Sequence, residues 1–232
     1  MRLTDGPVRA HRGTTIDRKR RLLGCAMGRH IWRALRDDRS RAAIEVAERF
    51  ADGAATKAEL AAAEAGARAV MVKVRKYNRP RNRYECFGSA VSVWAAGRAV
   101  RGWTVPAAGG ADGEGEPVGG PATDAPIWED AAEAMNREGH SWHAELGWQC
   151  AATRCIFGNP FRPITIGAAC RTKKLAKIAQ AIYDERAFDR LPILADALQD
   201  AGCEDADILG HCRGDGPHVR GCWVVDGVLG KG

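Results

Sequence analysis

The chain has 232 residues, 45% hydrophobic and 28% charged, a composition of globular proteins long enough to bury a real core and outside the range of disordered or fibrous chains. Residues 1–15 lack the apolar centre of a secretory signal, and no run approaches the roughly eighteen apolar residues of a membrane span. A cytoplasmic protein with no membrane partner is therefore expected, its eight cysteines reduced unless they bind metal. The net charge of +6 is uneven, with +12 over residues 1–100, −7 over 101–150 and +1 over 151–232. A basic first half suits a nucleic-acid partner; the alternative is that its charges are satisfied by the acidic middle or lie on solvated helix faces.

Residues 1–14 read as a flexible leader. From Thr15 the spacing of Ile16, Leu22, Leu23, Met27, Ile31 and Leu35 predicts a helix, with Arg18, Lys19, Arg20 and Arg21 in its first turns. Cations there oppose the helix dipole, which hints at an anionic partner. Asp37-Asp38 break the pattern and open a second helix to about Ala51, whose stripe is Ala43, Ile44, Ala47 and Phe50 and whose stop is Gly53. Thr56 and Glu59 have the spacing of a capping box and start a third helix reaching about Val74. Lys73, Arg75, Lys76, Tyr77, Arg79, Arg81, Arg83 and Tyr84 follow. Cations interleaved with rings suit nucleic acid, because cations neutralise phosphates and rings stack on bases. The alternative is a solvated loop with a tyrosine packed at each end.

A small-residue helix is expected over 85–103, then a Gly/Pro-rich acidic stretch over 104–125 that buries too little apolar area to order itself. Helices return after Asp124 and after Ser141, the latter passing Trp148 and Cys155 and stopping at Gly158. Ile164 to Ile166 suits an extended segment. Thr172 starts a helix with Leu175, Ile178, Ala179 and Ile182 inward. Leu191 to Leu198 forms another, with Pro192 in its first turn, Asp189 as its cap and Gly202 as its stop. Glu204 to Cys212 is a short helix. After the Gly214–Pro217 turn, His218 to Leu229 reads as helix, a strand through Cys222–Val225 being the alternative.

The stretches Ile182–Arg190, Pro192–Cys203 and Gly216–Asp226, together with Phe157–Pro163 and the N-terminal Asp17–Gly53, resemble a group of uncharacterised proteins common in planctomycete bacteria. The resemblance covers both ends of the chain and implies no reaction or ligand. Where that group carries Cys-Cys-Arg, this chain has Met27-Gly28-Arg29.

The best metal candidates are Cys203, His211, His218 and Cys222. On a helix after Pro217, His218 and Cys222 would share one face, with Cys203 and His211 flanking the preceding short helix and Cys212 able to replace either. This spacing matches no standard zinc module. The alternative is that the cysteines are small buried hydrophobes and the histidines bond to the Gly-Pro turn. His143-Ala-Glu145 with Cys150 and Cys155 mimics zinc deaminases without their cysteine spacing. Carboxylates pair by helical spacing at Asp196/Asp200 and Glu185/Asp189, where solvation is the simpler reading. No phosphate-loop, nucleophile-elbow or zinc-protease motif occurs.

The expected protein is all-α: a leader at 1–14, a basic helical region at 15–103, a flexible linker at 104–125 and a C-terminal helical domain at 126–232. Its expected role is that of a non-enzymatic interaction or adaptor module with a protein partner. Nucleic-acid binding by the basic half is one alternative, and a zinc-stabilised domain or zinc enzyme is another. Zinc is the one cofactor that the Cys/His set suggests.

Overall fold

The computed structural model describes residues 8–76 and 142–231, which are helix, turn and coil with no strand, the all-α class expected. The eight α-helices among them are α1 (Val8–His30), α2 (Asp38–Ala51), α3 (Lys57–Lys76), α4 (Trp142–Phe157), α5 (Lys173–Glu185), α6 (Leu191–Asp200), α7 (Ala206–Arg213) and α8 (Trp223–Leu229). Two compact units share the chain: Met1–Met27 with Leu146–Gly232, and Gly28–Glu145. The expected linker at 104–125 and the helices beside it lie outside the described residues. Helix α1 begins upstream of Thr15, and among the described residues no helix is long and apolar enough to cross a membrane.

In the Gly28–Glu145 unit, α2 packs against α3. Asp37 caps α2 by accepting from the Arg39 backbone N–H, and Ala43, Ile44 and Ala47 form its buried stripe. Thr56 and Glu59 make the reciprocal capping box: the Glu59 N–H donates to the Thr56 hydroxyl at 3.2 Å, and the Thr56 N–H donates to the Glu59 carboxylate at 2.7 Å. Glu48 is buried on α2 because Arg29 reaches its carboxylate with two donors, at 3.2 and 2.8 Å. The same guanidinium lies 4.0 Å over the Trp32 ring.

The other unit carries the larger core. Thr172 caps α5, whose Leu175, Ala179, Ile182 and Tyr183 are buried at the spacing of one helix face. They meet Leu191, Leu194, Ala195 and Leu198 of α6, Ile208 and Cys212 of α7, and Val224, Val225 and Val228 of α8. Each fully buried aliphatic side chain is worth about 1.5–3 kcal/mol. Gly202, at φ +87°, ends α6 as the sequence suggests.

Two local expectations change. Asp189 caps nothing: it lies in a 3-10 turn at Phe188–Arg190, and Arg190 occupies the N-cap of α6 with no side-chain bond. Ile164–Ile166 lies outside any helix, with Ile166 buried in the core. The last helix starts at Trp223, not His218. Gly221, at φ +92°, interrupts the helical path, and a Cβ on it would come within 2.9 Å of the Leu22 side chain on α1.

Candidate metal centre

His218 therefore sits in a loop, and the loop brings it where a helix would not. Helix α7 is capped at its start by Asp205, which accepts from the Asp207 and Ile208 N–H groups, and it presents His211 near its end. The chain leaves α7 at Gly214 and turns at Gly216, φ +81°, where a Cβ would lie 2.8 Å from the His218 backbone nitrogen. Only glycine fits that close approach. A second turn at Gly221 delivers Cys222 to the N-cap of α8. The fourth member is Cys155, three residues before the Gly158 stop of α4.

The donor atoms of Cys155, His211, His218 and Cys222 all lie within 4.8 Å of one another. His211 Nε2 is 3.2 Å from Cys222 Sγ, and His218 Nδ1 is 3.8 Å from Cys155 Sγ. Around a tetrahedral zinc, with bonds of about 2.0–2.3 Å, adjacent N and S donors stand about 3.3–3.8 Å apart. Both of these nitrogen–sulfur distances are close to that range. Both cysteines are buried, at 1% and 0% exposure, and both histidines are half-buried. His218 Nε2 lies 3.0 Å from the Gly214 carbonyl. A proton on Nε2 donated to that oxygen leaves the Nδ1 lone pair facing the cluster, the orienting bond that histidine ligands use. The Trp223 ring covers one side, 5.4 Å from the His211 ring and against Gly158, where a Cβ would come within 3.4 Å of the indole.

The electrostatics favour a thiolate here. Burial pushes the Cys222 thiol up, but contacts with Cys155, His211 and His218 outweigh it and hold Cys222 well below the ordinary thiol range. Cys155 moves the opposite way, raised by its contact with Cys222 and by burial. Burial lowers the His218 pKa, yet its bonds to Cys222 and to the Gly214 carbonyl leave it raised overall. The lowered Cys222 thiol beside two imidazoles is the kind of environment in which a thiolate ligand forms.

Of the expected metal set, His211, His218 and Cys222 converge and Cys203 does not. Cys203 follows the end of α6, its N–H donating to the Leu198 carbonyl, and its thiol neighbours that of Cys170. Cys212 is part of the apolar core, its thiol raised chiefly by burial. Cys155 stood in the sequence beside the deaminase-like His143-Ala-Glu145, but Glu145 is buried with its carboxylate 3.0 Å from His30 Nε2, and His143 and Cys150 are exposed. Asp196 pairs with Arg213 at 2.7 Å and Glu185 with Arg190 at 2.8 Å, so neither carboxylate pair converges.

The basic cluster of α1 is also partly consumed. Arg18 donates to the buried carboxylate of Asp226 and to the Tyr183 hydroxyl. Arg20 and Arg21 have partners of their own, and Lys19 is half-buried. Burial lowers the Lys19 pKa against the pull of Asp226. Lys73, Arg75 and Lys76 occupy the last turns of α3, while Tyr77, Arg79, Arg81, Arg83 and Tyr84 lie outside the described residues.

No family model matches the chain, and no curated protein or solved structure is similar to it at the threshold of significance.

Proposed function

We propose that the unit formed by residues 1–27 and 146–232 is a zinc-stabilised, non-enzymatic domain in which Cys155, His211, His218 and Cys222 hold one zinc ion. The observation that carries this reading is the convergence of four soft or borderline donors, from three helices and a loop, within 4.8 Å. Two thiolates and two imidazoles are the donor chemistry of structural zinc. Four protein ligands leave no coordination position for water or substrate, so the ion would act as scaffold and not as Lewis acid. That agrees with the absence of a catalytic motif from the sequence and supports an interaction module.

The test is metal content of the full chain by elemental analysis with native mass spectrometry. About one zinc per chain is expected, lost in Cys155→Ser and in Cys222→Ser but kept in Cys203→Ser. A chain that takes up no zinc on reconstitution, or one that loses it in Cys203→Ser and keeps it in Cys155→Ser, overturns the assignment.

A further inference from the structure

Beside the metal centre, within the same unit, lies an open cleft of about 860 Å³ bordered by His211 and Trp223. Small-molecule sites occupy about 300–1,000 Å³ and combine apolar walls with a few placed polar groups. Here the polar groups are mainly cations. Lys19 of α1, Arg154 of α4 and Arg171 of the 3-10 turn before α5 line the cleft, and Arg162 sits at its edge, 3.6 Å from the one acidic lining residue, Asp207. Arg154 and Arg171 are exposed, and their guanidiniums make no hydrogen bond or ion pair among the described residues. Two exposed guanidiniums without side-chain acceptors, with the half-buried Lys19 beside them, are a complement to a dianion.

The apolar side is equally unsatisfied. Phe161, on the loop between α4 and the 3-10 turn, is 92% exposed and lines the same cleft. That loop is held in shape: the Phe161 N–H donates to the Asn159 side chain at 3.0 Å. A ring held in water beside unpaired cations is a stacking surface for a planar group carrying negative charge.

We propose that the cleft binds a phosphate monoester that also bears a planar ring, of the class of a nucleoside monophosphate, with Arg154, Arg171 and Lys19 facing the phosphate and Phe161 and Trp223 the ring. None of the five residues named is a candidate zinc ligand, while His211 and Trp223 border both sites, so the titration is run on chain of known metal content.

The test titrates the full chain at low salt with the four 5′-ribonucleoside monophosphates, their nucleosides and inorganic phosphate, read by calorimetry and by tryptophan fluorescence. At least one monophosphate should saturate at one per chain and bind about tenfold or more tighter than its nucleoside, the scale of a charge-assisted contact. Arg154→Ala and Arg171→Ala should each weaken it about tenfold with metal content and helicity unchanged, because both side chains are exposed and unbonded. Phe161→Ala should weaken the monophosphate and leave inorganic phosphate unaffected. Absence of saturable binding by every monophosphate, or binding indifferent to both arginine substitutions, overturns the site. Inorganic phosphate binding as tightly as the monophosphates overturns the ring half of the assignment.

Discussion

Asp226 has 1% of its side chain exposed and stands on α8 facing α1, where Arg18 supplies both guanidinium nitrogens to its carboxylate and one to the Tyr183 hydroxyl, at 2.9 Å. Tyr183 is itself clasped by cations, with Arg220 at 4.5 Å and Lys231 at 3.9 Å over its ring. Burial raises the Asp226 pKa, and Arg18 is the main force holding it down. Removing one partner of a buried pair leaves the other uncompensated, at a cost of about 3 kcal/mol. Arg18→Met should therefore lower the unfolding free energy from a urea titration by that amount, through a lower midpoint with an unchanged slope. A loss below about 1 kcal/mol would mean that water reaches the pair and that it contributes as a surface bridge does. Nothing local in the sequence announces this pairing. The partners stand 208 positions apart, and in the linear chain Arg18 reads as one of four consecutive cations awaiting a phosphate. Cys155 is hidden for the same reason, since its link to His218 spans 63 positions and no spacing rule reaches that far.

Individual helices were far easier to read. Caps act over three residues, so Asp37, Thr56 with Glu59, Thr172 and the Gly202 stop could be placed from the sequence alone. The region after Pro217 has an apolar pattern that fits a helical arc, whereas Gly221 takes a positive φ and the place of a Cβ on it is filled by Leu22 of α1, a neighbour that no local pattern reveals. Two helical glycines separate the local rule from the packed one. Gly210, within α7, has nothing within 4 Å of where a Cβ would stand, whereas a Cβ on Gly227 of α8 would lie 2.4 Å from Ile166. Gly210→Ala should stabilise the protein by about 0.5–1 kcal/mol through helix propensity. Gly227→Ala should destabilise it by about 1–3 kcal/mol through overpacking, despite the same gain in propensity. Thermal melts of the two variants check both signs, and equal signs would mean that α8 shifts freely against Ile166.

At the scale of the molecule, the two units depend on different devices. Between Gly28 and Glu145, α2 packs on α3 through aliphatic stripes and the Arg29–Glu48 pair ties α2 to the end of α1, with no cluster of metal-type donors among the described residues. In the other unit, four candidate donors tie α4, α7, the following loop and the start of α8 together. Chelation should therefore raise amide hydrogen exchange in α7, α8 and the loop between them and leave α2 and α3 protected. Exchange mass spectrometry with and without a zinc chelator reads this directly, and uniform deprotection of all these helices would tie the metal to the whole chain.

The separation of Cys155 from His218 has a further consequence, for the chain before it folds. A link across 63 positions closes a long loop. By analogy with a covalent cross-link of that span, it removes about 4 kcal/mol of conformational freedom from the denatured ensemble. Long loops close late, because their entropy is spent before distant contacts repay it. Helix pairs such as α6 with α7, near neighbours in sequence, are then the early structure, and an ion held by this cluster would be a clasp fastened onto a scaffold already assembled.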